Sequence, residues 1–451
     1  MIVIENCAVA TVDAAGTEYA DGHLVVDAGR IVAVGPGHAG RRHRAVRRVD
    51  GTGCLVTPGL VNTHHHLYQW ATRGLAQDDG LFDWLRTLYP VWARLDADAV
   101  AATTAAGLGW LALHGCTTST DHHYIHPRNA GDLMAAQVAA AAEVGLRFHP
   151  CRGSMDLGAS QGGLPPDGIV EETEAALVAT EEAIDRFHDP ADDAMVRVAV
   201  APCSPFSVSG KLMVEAAALA RRRGVRLHTH LAETVDEEEY CRRTHGCTPV
   251  EYAEQLGWLG PDVWLAHAVH LDDSALDRLA STGTAVAHCP SSNARLGAGT
   301  ARVRELLDRG VPVGLGVDGP ASQEANQLGP ELRQALYTAR LRGGPGALTV
   351  REALALGTIG GARCLGRADQ LGSLEVGKLA DVALWRLDGL GHAGISDPVA
   401  ALVLGPPAPL ELLLVGGEPV VVGGELRTVD EHELVRRTRR AHRTLTRGAR
   451  R

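Results

Sequence analysis

The sequence has almost no lysine: Lys211 and Lys378 are the only two in 451 residues. The first opens a helical stretch and the second lies in a glycine-rich terminal region. Neither is placed to become a carbamylated ligand bridging two metals, so any metal centre is expected to hold one ion. Also missing is any apolar run of the roughly 20 residues that a membrane helix needs, and Met1-Ile-Val-Ile-Glu-Asn6 lacks the basic-then-apolar pattern of an export signal. Nine cysteines are present, none in a C-x-x-C pair. That usage suits a reducing compartment, so a cytoplasmic location with no membrane partner is expected. Positive charge is short as well: a formal net charge of -11 works against a polyanionic ligand, and no nucleic-acid partner is expected. The exception is the tail, where Arg436, Arg437, Arg439, Arg440, Arg443, Arg447, Arg450 and Arg451 crowd a thin apolar face of Leu434, Val435 and Leu445. Residues 429–451 read as a solvated terminal helix.

What is present is enough for a large ordered core, with 45% hydrophobic and 22% charged residues. Residues 1–57 alternate apolar and polar side chains between glycine turns, as in Ile2-Val-Ile-Glu and His23-Leu-Val-Val-Asp, and read as short antiparallel strands. The same texture returns over residues 366–428, in Asp381-Val-Ala-Leu-Trp and Val420-Val-Val-Gly-Gly. The two ends are expected to form one small β-sandwich domain. Between them, over residues 58–365, apolar runs such as Val225-Arg-Leu-His-Thr-His, Val263-Trp-Leu-Ala-His and Val313-Gly-Leu-Gly-Val-Asp alternate with Ala- and Leu-rich helical stretches. Repeated βα units imply a parallel sheet, and the expected fold is an α/β (β/α)₈ TIM-type barrel. An open doubly wound sheet is the other option, but no Gly-rich dinucleotide fingerprint follows the first strand.

Nearly every central run ends in His, Asp or Pro, which gathers polar groups at the strands' C-terminal ends. In Asn62-Thr-His64-His65-His66, the period of two places His64 and His66 on one side of an extended chain, where two imidazoles can share a metal; His65 points the other way. His228-Thr-His230-Leu-Ala-Glu233 closes another strand with two same-face imidazoles and an acid three residues on. His267 and Asp318 end two more. Each signal alone is weak. Together they put metal-competent side chains at successive strand ends from position 64 to 318, as a barrel rim requires. Imidazole and carboxylate ligands suit one divalent ion, Zn²⁺ first, with Fe²⁺ or Mn²⁺ also compatible.

This order, framed by an N-terminal strand segment and by Gly372-Ser-Leu-Glu-Val-Gly-Lys-Leu-Ala-Asp381, resembles the amidohydrolase superfamily in its cytosine/guanine-deaminase branch. The resemblance spans nearly the whole chain. Longer strings, among them Trp84-Leu-Arg-Thr-Leu-Tyr-Pro-Val-Trp92, Thr120-Asp-His-His-Tyr124, Ala201-Pro-Cys-Ser-Pro-Phe206 and His288-Cys-Pro-Ser-Ser-Asn293, are similar to those of 8-oxoguanine deaminases, and several are shared with hydroxydechloroatrazine ethylaminohydrolases. The resemblance implies that His64, His66, His230 and Asp318 bind zinc, that Glu233, His267 and Asp318 act on protons and charge, and that His228 supports a ligand. It implies a homo-oligomer and a small heterocyclic substrate, in the first instance 8-oxoguanine converted to urate and ammonia. The alternatives are an s-triazine or pterin aminohydrolase or chlorohydrolase and, in another class, a non-catalytic barrel scaffold. A scaffold would be free to lose the ligands and Glu233, all of which are present. One stretch departs from the resemblance: Gly319-Pro320-Ala-Ser-Gln323-Glu324 stands where a serine near 320 and an Asn-Asp pair near 323 and 324 are expected.

For substrate contacts, the residue types point to Gln69, whose amide can both donate and accept along a ring edge, to Arg152 for a ring carbonyl, and to Trp84 as a stacking wall or plain core. His122 and His123 have no assigned role. Cys203 and Cys289 lie near strand ends with no partner that would mark a nucleophile. The polynucleotide-deaminase signature, with its P-C-x-x-C ligands, is absent: Pro202-Cys-Ser-Pro-Phe lacks the second cysteine.

Overall fold

The computed structural model describes residues 1–40 and 47–447. Its central strands are short and wholly buried, as in Val263–His267 and Ala285–His288. Such runs suit parallel strands covered on both faces. Eight of them, Leu60–Asn62, Cys116–His123, Arg147–Ser154, Ala199–Pro202, Leu227–Leu231, Val263–His267, Ala285–His288 and Val313–Leu315, pair in parallel and close into a barrel. Side-chain caps start the intervening helices and left-handed glycines stop them: Ser209 and Gly224 bound Gly210–Arg223, and Asp272 and Gly283 bound Asp273–Thr282. Small residues, Ala199, Ala201, Ala285 and Ala287, line the interior around Trp264, whose indole N–H donates to the Thr63 carbonyl at 3.0 Å.

The chain ends join in one mixed nine-stranded sheet. Ile2–Ala10 pairs antiparallel with Glu18–Asp27, as the alternation predicts, but parallel with Arg47–Asp50 and Cys54–Pro58, a direction the alternation does not encode. Val382–Arg386 then adds antiparallel to Cys54–Pro58 and carries the C-terminal strands. Ile4, Leu24, Val56, Leu384 and Leu412 give this sheet its own core. A buried ion pair ties it to the barrel: Arg147 Nε donates to Asp381 Oδ2 at 2.7 Å, with both side chains 2% exposed.

The terminal helix, Glu431–Thr446, packs on its own chain through Leu434, Ala441 and Leu445, while Val435 is exposed. His442 Nδ1 donates to the Ala71 carbonyl at 2.7 Å and Arg437 pairs with Glu143. The helix therefore braces the 3₁₀ segment Leu67–Thr72, which follows the H-x-H motif. Arg450 and Arg451 lie outside the described residues. No helix among them is long and apolar enough to cross a membrane.

Candidate active site

With all eight strands parallel, their C-terminal ends form one rim, and His64, His66, His230, His267 and Asp318 meet there. The hydrogen bonds fix each imidazole's tautomer. His228 Nδ1 lies 2.8 Å from the Trp264 carbonyl, so it carries the proton and its Nε2 accepts from His64 Nδ1 at 2.8 Å. His66 Nδ1 donates to the His122 carbonyl at 2.6 Å, and His230 Nδ1 to the Cys203 carbonyl at 2.7 Å. Three Nε2 lone pairs are thereby turned inward. Those of His66 and His230 face each other at 3.0 Å with no proton to share, and Asp318 Oδ1 sits 3.3 Å from His64 Nε2 and 3.4 Å from His66 Nε2. Burial holds the imidazoles of His64, His66 and His230 below their ordinary pKa, hence neutral. Inward-facing lone pairs beside a carboxylate repel one another unless a cation lies among them, so the donor set fits one divalent ion.

Two wider groupings, His64–His122–His230 and His64–His267–Asp318, also bring ligand-type atoms within 4.8 Å of one another. His122 gives its Nε2–H to the Ala201 carbonyl at 2.7 Å and stacks on His230, with its buried Nδ1 left without a partner. The His267 Nδ1–H is committed to Asn293 Oδ1 at 2.9 Å. His65 is turned away, bonded to Asn326 Oδ1 at 2.8 Å.

Around this cluster stand the acid and base groups. Burial pushes the Glu233 carboxyl up to about 7. Its position comes from a tight turn: Ala232 is left-handed (φ 55°), Thr234 caps the helix Val235–His245, and the buried Glu237 carboxylate accepts from the backbone N–H groups of Ala232 and Glu233 at 2.8 and 2.9 Å. His267 Nε2 lies 3.7 Å from Glu233 Oε2 and 4.0 Å from Asp318 Oδ2. Burial opposes protonation of His267, but those two carboxylates outweigh it and raise its pKa. Asp318 shows the converse: burial pushes it up, and the imidazoles of His64, His267 and His66 hold it well below the usual carboxylate range. Its Oδ2, turned from His64 and His66, accepts from Ser292 Oγ at 2.5 Å and Ser322 Oγ at 3.1 Å. His267 and Asp318 both adopt left-handed backbone (φ 72° and 63°), strain of the kind that concentrates at functional turns.

A cavity opens onto the cluster, walled by Gln69, Trp84, Tyr124, Phe206 and Leu296 beside His66, His230, Glu233, His267 and Asp318. Gln69 stands out, because neither polar atom of its buried amide has a partner. Trp84 is both wall and core: its indole N–H donates to the Ala321 carbonyl and its ring packs edge-on against Trp92. Arg152 is not brought to the cavity. Both its terminal nitrogens are bonded to Glu171, at 2.9 and 2.6 Å, so it has no fork left for a ring carbonyl. The divergent loop also stays clear of the cavity, since Gln323 Nε2 bonds Glu331 at 2.7 Å and Glu324 pairs with Arg295; Ser322 alone of residues 319–324 lines the wall. Cys203 lines it too, but burial raises its thiol to about 12, which excludes a thiolate. The supporting roles of Asn293, Ser292, Ser322 and Glu237 were not read from the sequence; Glu237, one helical turn beyond Glu233, had a usable signal in its spacing.

Residues 55–422 match the amidohydrolase family. The chain belongs to that family. As an amidohydrolase it is 45% identical over 431 residues to the 8-oxoguanine deaminase of Pseudomonas aeruginosa, covering 95% of this chain and 96% of that one. It is 37% identical over 443 residues to the hydroxydechloroatrazine ethylaminohydrolase of Pseudomonas sp. strain ADP, covering 94% and 92%. Among solved structures, the atrazine chlorohydrolase of Arthrobacter aurescens TC1 in complex with zinc superposes with a TM-score of 0.92 at 35% identity, over 98% of this amidohydrolase and 100% of that chain. Family and site together make this chain a metal-dependent hydrolase of the cytosine/guanine-deaminase-like branch.

Gln69 owes its place to Gly319. A methyl group at position 319 would lie 1.8 Å from Gln69 Oε1, so only glycine lets the amide reach the cavity. Gly319→Ala is expected to lower kcat/KM about as much as Gln69→Ala, on the order of 10-fold or more for a lost substrate hydrogen bond. The double variant should be no worse than Gln69→Ala, and additive losses in that kinetic cycle would show that the two positions act separately.

Proposed function

We propose that this hydrolase deaminates an amino-purine, 8-oxoguanine, giving urate and ammonia. The observation that carries the proposal is the unpartnered Gln69 amide in the cavity wall, a donor and an acceptor side by side next to the acid Glu233 and the His/Asp cluster. Such an amide reads the N–H and C=O edge of an oxopurine. The aromatic walls Trp84, Tyr124 and Phe206 suit a flat ring, and the similarity to an 8-oxoguanine deaminase supports an oxopurine. The unusual Gln323–Glu324 pair does not weigh against it, because both side chains are bonded away from the cavity.

His64, His66, His230 and Asp318 are the proposed ligands, and zinc the proposed ion, as in the Arthrobacter relative. Bound there, zinc supplies Lewis acidity that makes water nucleophilic near neutral pH. Asp318 accepts the proton of the attacking water as the oxygen adds to the ring carbon that bears the amine. Glu233, starting protonated, gives its proton to the adjacent ring nitrogen. His267, its Nδ1–H fixed by Asn293, presents Nε2 to the oxygen that gains charge. Asp318 then passes its proton to the exocyclic nitrogen, ammonia leaves as the new ring carbonyl forms, and the proton of the added hydroxyl returns Glu233 to its acid form, so one water is consumed for each amine lost. Trp84 walls the ring. The free cysteines support a reducing, cytoplasmic setting.

The test is a panel assay of the zinc-loaded protein against 8-oxoguanine, guanine, isocytosine, pterins, hydroxytriazines and chlorotriazines, with ammonia or chloride as readout. 8-oxoguanine is expected to have the highest kcat/KM. Turnover of triazines without any purine would move the assignment to triazine hydrolysis, the reading that the Arthrobacter structure favours, and inertness toward the whole panel would favour a scaffold.

A further inference from the structure

At the opposite end of the barrel from the reaction cleft, cationic side chains collect where three neighbouring strands begin. His149 lies near the start of Arg147–Ser154, Arg197 just precedes Ala199–Pro202, and Arg226 just precedes Leu227–Leu231. Main-chain bonds keep these starts adjacent: Arg197 N donates to the Phe148 carbonyl at 3.1 Å, and Val200 N to the Arg226 carbonyl at 3.0 Å. Arg367 comes in beside them, because the Arg226 guanidinium packs over Gly366, whose absent Cβ would lie 2.9 Å from Nη1.

The hydrogen-bond inventory of this cluster is incomplete in one specific way. Arg367 gives Nη1 to the Ala194 carbonyl at 3.0 Å and Nη2 to the Asp192 carbonyl at 2.8 Å, and Arg197 gives Nη2 to the carbonyls of Pro190 and Ala191. Arg226 bonds no protein acceptor among the described residues. The Nε atoms of Arg197, Arg226 and Arg367, together with His149 Nε2, are all buried and without a partner. No carboxylate forms an ion pair with these three arginines among the described residues. Asp381 is taken by Arg147 and Asp262 by Arg221, while Asp189 and Asp192 lie nearby without contact. Arg367 and His149 are 0% and 3% exposed. After burial itself, the guanidinium groups of Arg367, Arg197 and Arg226 are what hold the His149 imidazole down. Guanidinium does not deprotonate in a protein, so the wholly buried Arg367, beside the partly exposed Arg197 and Arg226 and with no ion pair, calls for a counter-charge.

We propose that this end of the barrel binds a small inorganic anion of chloride size, held by the Nε–H groups of Arg197, Arg226 and Arg367 and by His149. The free donors decide the size. Phosphate and carboxylate are gripped by paired Nη forks, and Arg367 has both of its Nη groups committed to the loop carbonyls. What remains buried is a set of single N–H donors, because the unbonded fork of the partly exposed Arg226 reaches solvent, and that set suits one monatomic acceptor. The occupied site would pin the loop through 190–194 onto the barrel floor, at the opposite end of the strands from the catalytic groups, so its effect falls on stability.

Crystals of the zinc-loaded protein grown in sodium bromide should show an anomalous peak among these four side chains. Melting in sodium chloride or bromide, against sodium gluconate at equal ionic strength, should raise Tm saturably by about 2 °C. In Arg226→Gln, which loses no protein hydrogen bond, both the peak and the halide-specific rise should vanish while turnover stays unchanged. Sulfate and phosphate should act alike on the variant and the parent. A water in place of bromide, or a halide effect that persists in Arg226→Gln, would overturn the proposal.

Discussion

Replacing Glu233 with Gln is expected to lower kcat by about 10³-fold while leaving the metal content unchanged. The amide matches the carboxyl in shape and keeps its place, because Glu237 and the Thr234 cap hold the backbone of this turn and do not depend on the Glu233 side chain. What is lost is a group that can release and take up a proton. The pH profile gives the same role a sign. Burial raises the free carboxyl to about 7, so the acid form is populated below that value and lost above it, and kcat/KM should fall on the alkaline side. A cation in the neighbouring cluster favours the carboxylate, so the break should come at or below about 7 in the loaded enzyme. Steady-state kinetics across pH on both proteins, with metal analysis, checks this. A variant within 10-fold of the parent, or one that keeps the alkaline limb, would remove Glu233 from proton transfer.

The barrel and the position of its rim were legible in the sequence, because parallel strands advertise themselves twice: as short continuous apolar runs, and by the polar residues that end them. That reading put His64, His66, His230, His267 and Asp318 at strand ends, and the fold brings the five together there. Pairing direction within the terminal sheet was not legible, since alternation marks a strand without saying which way its neighbour runs; Cys54–Pro58 lies parallel to Ile2–Ala10 for reasons of connection. Arg152 misled for a related reason. A guanidinium near a strand end suits a substrate carbonyl and a partner carboxylate equally, and Glu171, nineteen residues on, is joined to it only by the folded loop. The altered loop misled in the other direction: Gln323 and Glu324 differ from the expected pair, yet their side chains face Glu331 and Arg295.

Stripping the metal should abolish turnover, by roughly 10⁴-fold for several kcal/mol of lost transition-state stabilisation, and the tautomer chain predicts how the loss can be graded. His64→Ala removes a proposed ligand and should not be rescued by added zinc. His228→Ala keeps the proposed ligands and removes the acceptor that holds the proton on His64 Nδ1, together with the stack on Trp264. It should weaken zinc affinity by about 10- to 100-fold and regain most activity at saturating zinc. His65→Gln should do neither, since His65 bonds Asn326 and not the cluster. Calorimetry adds a second readout. Burial already holds His64, His66 and His230 neutral, so binding at neutral pH should take no proton from the ligands, and the buffer-dependent heat should report only the protons that the cation drives from Glu233 and from water. Release of more than two protons would mean that the empty cluster also stores a proton between the facing nitrogens of His66 and His230, and the all-neutral arrangement would then be wrong.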